Sequence, residues 1–255
     1  MVLIKFSSSC IINGCILSTK KYSVRCFSFN SVKGALTNIF QSKPLTPPYD
    51  HVCQVGDPVL RMKATPVDLK IIKTHEFQTI LQKLSKVIKK YDLVGAAAPQ
   101  IGISLQIFAI QVTEGQIARV TPQVCEAYEM EPLPLTYFIN PTIKIINPTQ
   151  VIHHESCGSI TGFGASVSRA KEVEVKAFNQ LGDTFSWQAK GLAARIIQHE
   201  YDHLQGKLYI DRMDPSTFEC PIWELINVKN DISEEEPLAG SMRTVFLLDR
   251  LRKSP

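Results

Sequence analysis

No aspartate or glutamate occurs before Asp50. The same stretch carries Lys5, Lys20, Lys21, Arg25, Lys33 and Lys43, together with eight serines. A basic, serine-rich and acid-free leader has the composition of an organellar transit segment. The apolar run Cys10–Leu17 admits a secretory signal as a rival, but basic residues continue past it through Arg25 and Lys33, which favours import. Residues 1–49 are therefore read as a mitochondrial transit segment and linker, with delivery to the matrix. Residues 50–230 are read as the catalytic domain, and 231–255 as an acidic stretch and tail. Taking six basic residues from the 28 in the chain leaves 22 against 24 acidic ones. The body thus lacks the positive excess that direct nucleic-acid binding requires. No run of about 18 apolar residues is present, so no membrane-spanning helix is expected. Paired cysteine spacing is missing too: Cys53, Cys125, Cys157 and Cys220 are scattered through the body, which excludes a disulfide framework and fits a reducing compartment. No internal repeat is visible.

The body holds a strong helix signal. Phe77, Ile80, Leu81, Leu84, Val87, Ile88 and Tyr91 recur at helical spacing over residues 76–91, with lysines on the other face and Thr74 as N-cap. Gly56-Asp57-Pro58 reads as a turn before a short extended piece. The small residues from Gly95 to Ala98 let backbone pass close to a neighbour, and Gln100 ends that passage with an amide. Leu105–Val112 reads as a strand, 113–136 as a long loop with little structure, and 137–146 as two short strands around Asn140-Pro141. Residues 172–178 alternate strictly and return through a hairpin over 184–189. Leu208–Ile210 reads as extended, and 218–228 as a short terminal helix. The arrangement is α+β: antiparallel sheets wrapped around a central helix, with flanking N- and C-terminal helices.

That central helix carries Gln198-His199-Glu200-Tyr201-Asp202-His203. Residues four apart share a helix face, so His199 and His203 can aim two imidazoles at one cation, with Glu200 beside them as a proton acceptor. Gly191 precedes an apolar run and Gly206 stands where a helix often ends in a left-handed turn. A catalytic site of this kind wants a third protein ligand. Tyr209 replaces the third histidine of one peptidase class. Glu224 has the downstream distance used by another, and Cys157, in Glu155-Ser156-Cys157-Gly158-Ser159, is the upstream option.

Three segments together are similar to the signature motifs of the peptide deformylases, roughly G-x-G-x-A-A-x-Q, E-G-C-x-S and Q-H-E-x-D-H. Here they read Leu93-Val94-Gly95-Ala96-Ala97-Ala98-Pro99-Gln100, then Glu155 to Ser159, then Gln198 to His203. The likeness runs from about residue 53 to 213 and, with the leader, resembles the mitochondrial-type members of animals. Leu93, Ser156 and Gly158 depart from the pattern.

The resemblance implies one divalent ion (Fe2+, Zn2+ or Co2+) on Cys157, His199 and His203, with Glu200 as general base. Gln100 and the backbone N–H of Gly158 would stabilise the oxyanion. Val94, Leu192 and Ile196 would line a methionine pocket, and an extended peptide would pass Gly95 and Phe163. The implied reaction removes formyl groups from N-formyl-methionyl peptides and nascent chains, with the organellar ribosome as a candidate partner. A metallopeptidase using Glu224, and an inactive module that binds chain termini, are the alternatives. Oligomeric state is not indicated.

Overall fold

The computed structural model describes residues 46–221 together with Trp223 and Asn227. The chain divides after Pro44, and the described residues all belong to the second unit, Leu45–Pro255. The transit reading of the leader, Glu224, most of the helix read over 218–228 and the 231–255 tail lie outside the described residues.

Five antiparallel strands form one sheet in sequence order: β1 (Gly95–Ala97), β2 (Ile107–Val112), β3 (Leu133–Cys157), β4 (Ile160–Phe178) and β5 (Thr184–Lys190). Four α-helices with both ends among the described residues accompany it: α1 (His75–Lys90), α2 (Glu114–Ile117), α3 (Pro122–Ala127) and α4 (Gly191–Leu204). The α+β expectation therefore stands, with one sheet rather than several.

The run Ile107-Phe108-Ala109-Ile110 is apolar throughout because both faces of β2 are covered. Ile107 and Ala109 pack with Leu81, Leu84 and Ile88 of α1. Phe108, Ile110 and Val112 face the other way, toward Leu192, Ile196 and Ile197 of α4. Each apolar side chain buried this way contributes about 1.5–3 kcal/mol. The helix α1 begins where the sequence places it, with the Thr74 hydroxyl accepting from the Phe77 N–H at 3.3 Å. The helix α4 opens on Gly191 at φ +55 and is followed by Gly206 at φ +69, a conformation costly for a residue with a Cβ.

Several sequence expectations are corrected. Residues 113–136 are not a bare loop: α2 is closed by a reciprocal Thr113–Gln116 capping box, and α3 starts at Pro122 after Thr121. Residues 137–146 are not two strands but part of the continuous 25-residue β3. Its ladder slips between Ile139 and Thr142 and between Asn147 and Gln150. Pro141 and Pro148, which have no N–H to donate, fall inside those slips. Asn140 sits at φ 50, its side chain bonded to both the N–H and the carbonyl of Val67 at 2.7 and 2.8 Å. Pro58–Arg61 and Tyr209–Asp211 are 3-10 turns rather than extended pieces, the first capped by the Asp57 carboxylate.

Candidate metal and catalytic site

Side chains alternate along a strand, so Glu155 and Cys157 at the end of β3 share one face. Both are buried against α4. The helix brings His199 and His203 onto the facing stripe, and the ligand atoms of Cys157, His199 and His203 all lie within 4.8 Å of one another. Cys157 Sγ is 3.3 Å from His203 Nε2. His199 Nδ1 lies 3.0 Å from Glu155 Oε2, which assigns a proton to Nδ1 and turns Nε2 toward the thiol. A soft sulfur and two imidazoles are a donor set suited to a divalent transition ion.

Glu200 stands next to this cluster with its Oε2 buried and without a hydrogen-bond partner. A Cβ at position 95 would come within 2.6 Å of Glu200 Oε1, so any larger residue there would displace this carboxylate. Burial pushes the Glu200 carboxyl up to about 7, partly offset by the imidazolium of His199. A group poised in that range can take and return a proton near neutral pH. Gln100 is held from both ends: its Oε1 accepts from the Ala97 N–H at 2.9 Å, and its Nε2 donates to Ser159 Oγ at 3.2 Å and reaches Cys157 Sγ at 3.5 Å.

Behind the histidines lies a buried ion network that the sequence did not reveal. Arg169 from β4 grips Glu155 with Nε on Oε1 and Nη2 on Oε2, each at 2.9 Å. Arg195 of α4 donates to the same Oε1 at 2.6 Å. Burial opposes ionisation of Glu155, but the hydrogen bonds from Arg169 and His199 outweigh it and hold the carboxyl well below the usual range. Burial likewise works against the charge on Arg169, and its bonds to Glu155 and Asp202 more than reverse this. Asp202 joins Arg169, at 2.5 Å, to Arg212. For His199, burial disfavours the cation while the neighbouring thiol and Glu155 raise its pKa well above the ordinary imidazole value. His203, buried beside that charge, is lowered.

A cavity of ≈ 180 Å³ opens onto the cluster. Cys157, Gly158, His199, Glu200, Gln100, Val94, Gly95 and Phe163 are on its wall. Leu192 and Ile196 are not on that wall; they lie in the apolar core with Val94, and Ile196 backs Gly95. Glu155, Arg169 and Arg195 escaped the reading from sequence, although Glu155 two residues before the cysteine was a signal once β3 is known to be a strand.

A family model described as polypeptide deformylase matches residues 49–219. The chain is 42% identical over 184 residues to the mitochondrial peptide deformylase of Homo sapiens, covering 72% of this chain and 76% of that one. It is 36% identical to the chloroplastic peptide deformylase 1A of Solanum lycopersicum, over 80% of this chain and 71% of that one. Among solved structures it is similar to a peptide deformylase from Synechococcus elongatus in complex with actinonin, with TM-score 0.54, 32% identity and coverage of 68% and 82%. It is also similar to a Met-Ala-Ser-bound class I type b enzyme from Acinetobacter baumannii, with TM-score 0.57, 26% identity and coverage of 64% and 96%. The chain belongs to the peptide deformylase family, metal-dependent enzymes that remove the formyl group from the N-terminus of newly made proteins.

Proposed function

We propose that Cys157, His199 and His203 hold one divalent ion, Fe2+, Zn2+ or Co2+, and that the neighbouring residues carry out deformylation as follows. When bound, such an ion supplies Lewis acidity and lowers the pKa of a water molecule. Glu200 accepts the proton of the attacking water as its oxygen bonds to the formyl carbon. Negative charge grows on the formyl oxygen, which Gln100 Nε2 and the Gly158 N–H meet as donors. Loss of one such donor typically raises a barrier by about 3–4 kcal/mol. Glu200 then returns the proton to the departing amine, so formate and a free amino terminus leave. The observation that carries this reading is the convergence of three ligand atoms within 4.8 Å beside the unpartnered Glu200 carboxylate.

The methionine side chain would enter beside Val94, with Leu192 and Ile196 as the backing layer. The following residues would run extended past Gly95 and Phe163, an arrangement that tolerates many sequences. The relative solved with Met-Ala-Ser supports a peptide of this kind as the ligand. A Cβ on residue 158 would meet Leu93 and Val52 at an ordinary 3.5 Å, so Gly158 leaves the neighbouring subsite one side chain wider. With residues 1–49 as a transit segment, the setting would be the mitochondrial matrix and the substrates nascent chains on the organellar ribosome. No helix among the described residues is long and apolar enough to cross a membrane.

Formate release from formyl-Met-Ala-Ser by the metal-loaded protein tests this reading. Glu200→Gln is expected to keep the metal and lose activity by roughly 10²–10⁴-fold. Full activity of that variant would remove Glu200 from the mechanism.

A further inference from the structure

The segment Tyr49–Val55 has no part in the motifs, yet it is bonded to both stretches that carry the oxyanion donors. The Tyr49 N–H donates to the Ile101 carbonyl at 2.9 Å and the Cys53 N–H to the Gln100 carbonyl at 2.8 Å. Two residues on, the Val55 N–H donates to the Ser159 carbonyl at 2.7 Å. Between these, the Gln54 side chain spans the turn after the cysteine. Its Nε2 donates to the Gly158 carbonyl at 2.8 Å and to the Val52 carbonyl at 3.2 Å. Its Oε1 accepts from the Thr161 N–H at 3.4 Å. One amide therefore holds both ends of the Gly158–Thr161 turn.

The turn needs such a hold. Residue 158 is a glycine outside the left-handed region, so it carries glycine's backbone freedom without a turn that demands it. An alanine there would meet only ordinary contacts, from Leu93 and Val52 at 3.5 Å. The carbonyl of residue 158 also accepts from the Thr161 hydroxyl at 3.4 Å, while the N–H that must meet the developing charge belongs to the preceding Cys157–Gly158 peptide, and donor direction matters steeply for such stabilisation.

We propose that Gln54 is a positioning residue for deformylation: its amide pins the Gly158–Thr161 turn and so aims the Gly158 N–H at the formyl oxygen. This rests on the reading of Gly158 as an oxyanion donor. A second consequence is that backbone mobility at 158 and the presence of Gln54 are coupled.

The test uses the metal-loaded full chain and Gln54→Ala, with amide hydrogen exchange of the 157–161 segment followed beside the kinetics of formate release. Gln54→Ala should speed exchange at Thr161 and lower kcat roughly tenfold while KM and metal content stay near wild type. Gln54→Glu, which cannot donate to the Gly158 carbonyl, should behave like the alanine variant. Adding Gly158→Ala to Gln54→Ala should recover about threefold of the lost kcat, because alanine narrows the backbone freedom that Gln54 otherwise suppresses. Unchanged exchange at Thr161, a loss confined to KM, or no recovery in the double variant would overturn the role of Gln54. Faster exchange with unchanged kcat would show instead that the Gly158 N–H is no oxyanion donor, and the proposal would fall with that reading.

Discussion

Glu155 Oε2 accepts from His199 Nδ1 at 3.0 Å, and the other bonds to that carboxylate all come from Arg169 and Arg195. One buried acid therefore sets the tautomer and the aim of an imidazole proposed as a metal ligand, while neutralising part of two arginines. Replacing it by glutamine would keep the shape but leave the guanidinium groups undercompensated, which costs about 3–5 kcal/mol for a buried pair. Glu155→Gln is expected to lower the unfolding free energy by that amount, read from denaturant titration, and to weaken metal retention 10–100-fold, read by chelator competition.

The same residue sets an acid limit. Its carboxyl is held below the ordinary value of 4.5 in the folded chain, so the unfolded chain binds a proton more readily. The stability it contributes is present above that value and is lost as pH falls below it. Urea midpoints measured from neutral pH downward should drop on the acid side of about 4.5. Glu155→Gln should flatten that drop; a drop of equal size in the variant would assign acid sensitivity elsewhere.

As the proposed proton acceptor, Glu200 should govern activity rather than stability. Burial raises its carboxyl to about 7, and a proton acceptor is lost as pH falls through its pKa. The kcat/KM profile should show a one-proton acid limb at or below about 7, since a bound cation adds positive charge and moves the limb downward. A profile flat through the acid range would conflict with Glu200 as base.

Gly95 passes close to Glu200. A methyl group at 95 would stand 2.6 Å from Glu200 Oε1 and 3.0 Å from Ile196 Cγ2, so the carboxylate must move. Displacement of about 1 Å costs around 10²-fold in rate. Gly95→Ala is therefore expected to fold and bind metal but to lose about that factor in kcat. Wild-type turnover would show that the carboxylate tolerates the shift.

What could be read from the sequence divides along physical lines. The helix α1, the β4–β5 hairpin and α4 are local: period, caps and turn residues lie within the element, and the histidine pair is visible at i, i+4. The short helices α2 and α3 also had local signals, Thr113–Gln116 and Thr121-Pro122, that were outweighed by the polarity of the stretch. The long strand β3 was broken on paper at Asn140-Pro141, because a single sequence does not show that Val67 completes the bonds of Asn140 there. The ion network was illegible for the same reason. Glu155 meets partners 14, 40 and 44 residues away, and only the register of β3 on β4 and the docking of α4 bring them together. The Gln54 strap belongs to this class too, at a separation of 104 residues from Gly158.

The strap also bounds the leader. Tyr49 and Cys53 are bonded to the Gln100 loop, so, on the proposal that a transit segment is removed, the cut should fall before Tyr49. Amino-terminal sequencing of protein recovered from mitochondria should find a start upstream of that residue. A mature chain beginning after Val55 with full activity would contradict the role given to this segment.

The most direct measurement is metal content per chain, taken on anaerobically purified full-length protein and on its Cys157→Ala variant alongside formate release. About one divalent ion per wild-type chain is expected. The variant should lose both the ion and the activity. An alanine variant that keeps a full complement of metal and releases formate at the wild-type rate would show that the sulfur is not a ligand.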